Sequence, residues 1–348
     1  MLSIKEVARL TKLSTATVSR ALDPRFSHKV KAETREKILS VCDLANYRPD
    51  VAGRSIATGK SYKVGFISGS PASDCGNPIF SCFLKGVIFE LQKNSYNLLI
   101  LGTTPTEENQ IINFLRSNVA DGYILGNSLV TPNVAEAISL CKAPVLMLEN
   151  NKIIPNALVI KRNINKAFKE IWANIPKEYY NKILFCSQPV LGDRYSTALN
   201  FAPKEAKLPL FTISCGKEFP ETRYLSRVCA LKNLDYLLKY KIFWCSSDLL
   251  ALGIKDAIEE NTNLIAGKDF FLIGFDNIEN KGEYSNPPFM STIDICYEQM
   301  GQEGAKMLLD NLNGKKTSTT LEYNSIYIPR KSFPKLNIQK STKNEEKL

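Results

Sequence analysis

The sequence predicts an α/β protein in two parts: a small helical headpiece carrying a helix-turn-helix, then a large body of parallel sheets. Three observations predict it. Residues 3–22 hold two short apolar stripes at helical spacing on either side of a polar turn. From residue 62 onward, apolar runs of strand length alternate with amphipathic segments, the pattern of parallel sheets covered by helices on both faces. Charge is also uneven: residues 1–63 carry 13 Lys and Arg against 6 Asp and Glu, so +7 of the formal +10 lies there. A basic face beside a helix-turn-helix suits a phosphate backbone, although a solvated surface accounts for the charge taken alone.

In the first segment Ile4, Val7 and Ala8 fall on one helical face, residues 11–14 form the polar turn, and Val18, Ala21 and Leu22 return the stripe. The second helix of such a unit enters the DNA major groove, with its N-terminal side chains against base edges; here these are Thr15, Ala16, Thr17 and Arg20. Two amphipathic helices forming a plain subdomain is the alternative on pattern alone. Pro24 ends the helix, and a loop over 23–29 leads to a third helix at 32–45 whose apolar face is Ile38, Leu39, Val41, Cys42 and Leu44. The headpiece is therefore expected over residues 1–48.

Residues 49–61 read as a hinge helix and linker. The 50–58 stretch is two helical turns long and contains Gly53, which costs about 1 kcal/mol relative to alanine, so it is helical only when something holds it. The body, 62–334, opens with strands at 63–69, 97–102, 121–126 and 144–150 and helices at 80–94, 107–117 and 134–140. A second series follows, with strands at 157–160, 182–187, 210–214, 242–248 and 270–276 and helices at 165–175, 225–240 and 249–259. Two similar lobes result, and a cleft between such lobes is the default small-molecule site. The polar tail, 335–348, is expected to be disordered.

Several classes are disfavoured. The nine cysteines are scattered, odd in number and without a C-x-x-C pair, and His28 is the only histidine, so neither a disulfide framework nor a metal site is suggested. No apolar run approaches the roughly 20 residues of a membrane span, and no signal-peptide core is seen at the start, so a cytoplasmic, nucleoid-associated protein is expected. A nucleophile elbow, a P-loop and a helix-opening G-x-G-x-x-G are all missing, so no enzyme and no cofactor is expected.

The stretches IKEVARLTKLSTATVSRAL (4–22), VKAETREKIL (30–39), NYRPDVAGRSIATGKS (46–61), SSDLLALG (246–253) and LIGFDN (272–277) together resemble the lactose-repressor (LacI/GalR) family of bacterial transcription regulators. NPPFMSTID (286–294) resembles the family's segment before its last lobe-crossing helix, and STATVSRAL with Gly53 looks closest to the family's cytidine-repressor headpieces. The resemblance implies a periplasmic-binding-protein-like body and a homodimer that reads a near-palindromic double-stranded DNA operator. It also implies a repressor modulated by a small-molecule effector, a sugar, nucleoside or related compound. Thr15, Ala16 and Arg20 fall at its base-reading positions; Ser14, Thr17, Ser19 and Tyr47 at backbone positions; Val51, Arg54 and Ile56 in the hinge, with Ile56 where a minor-groove wedge is usual.

For the effector, the resemblance points to Phe80, Glu149, Arg194, Thr197, Asp248 and Phe275, with Asp248 as ligand-hydroxyl acceptor. Here the chain also departs from the pattern. Thr197 stands where an arginine is usual, with Arg194 three residues early, and Arg162-Asn163 replaces a D-N pair. The alternative is a regulator whose cleft has lost its effector and acts alone or through a protein partner.

Overall fold

The computed structural model describes residues 3–23, 26–48, 55, 58–68, 77–102, 108–126, 130–149, 152–214, 221–280, 287–316 and 318–334. Most of the expected hinge helix, including Val51, Arg54 and Ile56, and the whole 335–348 tail lie outside these residues. No helix among the described residues is long and apolar enough to cross a membrane.

The headpiece is three helices: α1 (Ile4–Thr11), α2 (Thr15–Leu22) and α3 (Ala32–Leu44). A capping box starts α1, the Ser3 amide donating to Glu6 Oε2 at 2.7 Å while Ser3 Oγ accepts from the Glu6 amide. The Ser3 amide, together with the Ser3 hydroxyl donating to the same oxygen at 3.0 Å, lowers the pKa of the Glu6 carboxyl. Lys12 stops α1 in the left-handed region (φ 58°), its amide turned back to the carbonyls of Ala8 and Arg9. Val7, Val18 and Ile38, each 0 % exposed, form the core with Ala8, Ala21, Cys42 and Tyr47.

The whole chain divides into two compact units, each assembled from separated stretches. The first is Met1–Gly69, Val87–Leu158 and Gln302–Thr319; the second is Ser70–Gly86, Val159–Gly301 and Thr320–Leu348. In the first, β1 (Lys63–Ser68), β2 (Asn97–Gly102), β3 (Gly122–Leu125) and β4 (Val145–Leu148) pair in parallel in the order β2-β1-β3-β4. Helices α4 (Pro78–Lys93), α5 (Glu108–Arg116) and α6 (Pro132–Leu140) connect them. Where the chain leaves the hinge it is clamped: Asp121 Oδ1 accepts the Ser61 amide at 2.7 Å and hydroxyl at 2.9 Å, and Oδ2 accepts the Tyr62 amide at 2.9 Å.

The second unit holds a parallel sheet in the order β7-β6-β8-β9, from β6 (Ile183–Ser187), β7 (Leu210–Thr212), β8 (Ile242–Cys245) and β9 (Phe271–Ile273). Helices α7 (Asn165–Asn174) and α8 (Gly192–Asn200) precede β7; α9 (Glu221–Lys232), α10 (Leu234–Leu237) and α11 (Asp248–Asn261) follow it. β5 (Ala157–Asn163) pairs in parallel with β11 (Thr320–Asn324), and β10 (Thr292–Asp294) antiparallel with β12 (Ile326–Ile328), α12 (Tyr297–Leu312) lying between them in sequence.

Three expectations change. The helix expected at 225–240 is two helices, α9 and α10, broken at Asn233, and it begins four residues earlier. The strand expected at 242–248 ends at Cys245, because Ser247 accepts the Leu250 amide and starts α11. Helix α8 was not expected.

Candidate nucleic-acid interface and effector site

The headpiece core decides which side chains α2 presents. With Val18 and Ala21 buried against α1 and α3, Thr15, Ala16, Ser19 and Arg20 are exposed. Ser14 caps the helix, its Oγ accepting the Thr17 amide at 3.1 Å and lying 2.9 Å from Thr17 Oγ1. Ser14→Ala is expected to cost about 1 kcal/mol of headpiece stability and Ser14→Asp to keep most of it, read by urea denaturation. Arg20 lies in the last turn of α2 and makes no ion pair among the described residues, which leaves its guanidinium open to a partner. Lys5, Arg9, Lys12, Lys29 and Lys31 are exposed as well.

Tyr47, expected at the DNA backbone, is only 5 % exposed and packs in the headpiece core. Its amide donates to Cys42 O at 2.8 Å, so the ring folds back over the end of α3. Its first role is to close the core.

Of the six effector candidates, Glu149 belongs to the first unit, half-buried just after β4 with φ 55°. The other five belong to the second. Phe80 is half-buried on α4, its ring 5.9 Å from that of Phe83. Thr197 donates its hydroxyl to Asp193 O within α8, while the Asp193 carboxylate pairs with Arg162 at 2.8 Å. The structure brings Arg194, Phe275 and Asp248 together. Arg194 is 5 % exposed; its guanidinium lies 3.7 Å from the centroid of the Phe275 ring, NH1 donates to Ser246 O, and NH2 donates to Asp276 Oδ1 at 3.3 Å.

Asp248 was expected as a ligand-hydroxyl acceptor. It is 0 % exposed at the first position of α11, and both carboxyl oxygens are engaged. Oδ1 is 2.7 Å from Thr292 Oγ1, Oδ2 accepts the Ile278 amide at 2.9 Å, and the Asp248 amide donates to Phe275 O at 2.8 Å. Burial first, then the nearby negative charges of Asp276 and Glu279, push its pKa up to about 8. Its carboxyl thus ties α11 to the loop after β9.

That loop holds residues the motif reading did not single out. Asp276 and Asn277 both have positive φ, 101° and 54°, and both are buried. Asn277 donates to Asp294 Oδ2 and accepts from Arg330 NH2, each at 2.7 Å. The available signal was the GFDN run itself, whose two polar residues follow an apolar strand. No group of three or more His, Cys, Asp or Glu is placed to hold a metal ion among the described residues.

Comparison with known proteins agrees with both halves of this geometry. Residues 3–50 match the family model of bacterial regulatory proteins of the lacI family, and residues 185–333 match the periplasmic binding protein-like domain. The HTH-type transcriptional repressor PurR of Vibrio parahaemolyticus is 26 % identical over 97 % of this chain and all of its own. The ribose operon repressor of Haemophilus influenzae is 27 % identical over 96 % of this chain and 99 % of its own. Among solved structures, the lac repressor dimer bound to operator and the anti-inducer ONPF superposes with a TM-score of 0.72 at 18 % identity, over 96 % of this chain and 99 % of that one. A capped helix-turn-helix, a parallel-sheet body and relatives that match both along their whole length leave one conclusion: the chain carries a lacI-family DNA-binding domain followed by a periplasmic binding protein-like domain.

Proposed function

We infer that this protein is a sequence-specific DNA-binding transcriptional regulator, a repressor acting as a homodimer on a near-palindromic operator within the nucleoid and modulated by a small-molecule effector. The observation that carries the reading is the outward face of α2, where Thr15, Ala16 and Arg20 project from a helix fixed by its cap and core. Arg20 is assigned to a guanine edge, and Ala16 with the threonine methyls to thymine methyls. Ser19 and Thr17 are assigned to the backbone, and Val51, Arg54 and Ile56 to the hinge contact. Arg194, Phe275, Phe80, Thr197, Glu149 and Asp248 are the effector candidates.

Footprinting the genome's upstream regions with purified protein tests this. Wild type is expected to protect a palindromic site with affinity that falls steeply as salt rises. Arg20→Ala is expected to lose about 1–3 kcal/mol in each half-site, enough to abolish protection at the same concentration. Failure of the wild type to protect any site at low salt sinks the reading.

A second reading, a regulator without a small-molecule effector, is favoured by three facts in the second unit. Thr197 occupies the usual arginine position, Arg162 is paired to Asp193, and the Arg194 guanidinium is already engaged within the fold. A panel of sugars and nucleosides that leaves both melting temperature and footprint unchanged supports it.

A further inference from the structure

Five buried side-chain polar atoms among the described residues lack a hydrogen-bond partner, and three of them belong to residues linked by contacts within the second unit: Arg194 Nε, Trp244 Nε1 and Ser246 Oγ. Strand alternation puts the last two on one side of the sheet. Phe243 and Cys245 of β8 enter the core that contains Leu250, Ile254 and Ile258 of α11, whereas Trp244 faces the other way, against Phe168, Trp172 and Phe185. The Ser246 amide donates to Cys186 O at 2.8 Å and so continues the ladder by one more residue. Ser246 Oγ therefore follows Trp244 onto the same face.

Arg194 reaches this face from α8, and the contacts close into a ring. Its guanidinium lies over Phe275, Phe275 packs 6.3 Å from Phe168, Phe168 packs 5.1 Å from Trp244, and Ser246, two residues on, returns its carbonyl to Arg194 NH1. Each polar member is at least nine-tenths buried: Arg194 is 5 % exposed, Trp244 and Ser246 0 %. Trp172, by contrast, is satisfied through its Nε1 donation to Ala198 O at 2.8 Å.

The chemistry of the three atoms is one-sided. An indole N–H and a guanidinium Nε–H only donate, so neither can satisfy the other, and the serine hydroxyl, which can both donate and accept, bonds to neither of them. What they lack is an acceptor. The charge of Arg194 is already balanced by the buried carboxylate of Asp276 at 3.3 Å. An anion would meet that acidic surrounding; a neutral oxygen would not.

We propose that Arg194 Nε, Trp244 Nε1 and Ser246 Oγ form a binding subsite for the carbonyl oxygen of a small neutral ligand, held beside the Phe275–Phe168 aromatic wall. The proposal rests on the reading of the second unit as the effector-binding part of a regulator, and it names the group by which the effector is recognised.

The chain has two tryptophans, so an amide-proton NMR spectrum of the ¹⁵N-labelled full-length protein shows two indole signals, and Trp172→Phe identifies that of Trp244. The probes are acetamide, 2-pyrrolidone and uracil as neutral carbonyls, acetate as an anion, and cyclopentanol as a plain hydroxyl. At least one neutral carbonyl is expected to move the Trp244 indole proton downfield in a saturable titration, and acetate and cyclopentanol to leave it in place. Ser246→Ala is expected to weaken that titration about three- to tenfold, as loss of one hydrogen bond does. Arg194→Lys, which keeps the cation and removes Nε, is expected to weaken it further.

Three results overturn the proposal: an indole signal that no probe moves and that shows a cross-peak to water, which makes the three atoms a structural water site; a response led by acetate; or a carbonyl response unchanged in Ser246→Ala and Arg194→Lys. Binding to the footprinted operator is measured on the same samples. Operator binding with a silent indole defeats the subsite alone, whereas absence of operator binding defeats the regulator reading whatever the indole does.

Discussion

Gly253→Ala is expected to destabilise the second unit by about 3 kcal/mol, at the upper end of what overpacking costs. A Cβ on Gly253 would lie 2.5 Å from Arg223 O, 2.6 Å from Ser226 Cβ and 2.8 Å from the Arg227 amide nitrogen. Two of those three atoms are backbone of α9 and cannot swing aside. Separating the helices would also pull on the bond from Ser226 Oγ to Leu250 O at 2.9 Å and on the two-pronged Arg223–Asp256 pair at 2.7 and 3.0 Å. Alanine's better helix propensity returns about 1 kcal/mol, so the steric cost has to exceed it for the sign to hold. Urea unfolding gives the net. Adding Ser226→Gly relieves the Cβ contact but also removes the Ser226 Oγ–Leu250 O bond and places a glycine inside α9, so it is expected to recover little or none of the loss; full recovery would show that the backbone contacts had relaxed.

The second large effect is the pH dependence set by Asp248. Its pKa is pushed up to about 8 in the fold, against an ordinary carboxyl value near 3.8. A group raised above its unfolded value contributes its full stability below the unfolded pKa and loses it as pH rises through the folded one. Stability is therefore expected to fall from about pH 4 to about pH 8, by as much as about 1.4 kcal/mol per pH unit, so several kcal/mol across the window. Asp248→Asn reproduces the protonated acid: its amide N–H₂ donates to Thr292 Oγ1, and its oxygen accepts the Ile278 amide. Unfolding at pH 5 and pH 8 is expected to show a large difference in wild type and a small one in Asp248→Asn. Equal slopes would assign the pH dependence to other groups.

Much of this was legible in the residues. The headpiece helices are written in local signals: a capping box at Ser3, a cap at Ser14 and apolar stripes that meet in one core. Strands such as Lys63–Ser68 and Ile183–Ser187 show as apolar runs because they are buried on both faces. Helix α8 was illegible because GDRYSTALN has no sustained apolar stripe; it is held by Arg194 turning inward and by Trp172 bonding Ala198 O. The bonds of Asp248 were illegible for a similar reason. Its partner Thr292 lies 44 residues on, and no local pattern distinguishes a carboxylate open to a ligand from one closed by a distant hydroxyl. Arg194 was recognised as a site candidate, but its stacking on Phe275 depends on a loop with two positive-φ residues that sequence spacing does not reveal.

The interleaving of the two units bears on how this protein can be cut and rebuilt. Each is made of three stretches of chain that alternate along the sequence, so no single cut releases either one whole: a chain ending at Leu158 lacks the Gln302–Thr319 piece of the first, and one starting at Val159 lacks the Ser70–Gly86 piece of the second. Nascent chain must wait for the ribosome to reach residue 319 before the first unit has all its parts. The headpiece is different, since its core closes within residues 4–47. It is the one module that recombination could exchange in a single stroke, giving a new operator to an old sensor.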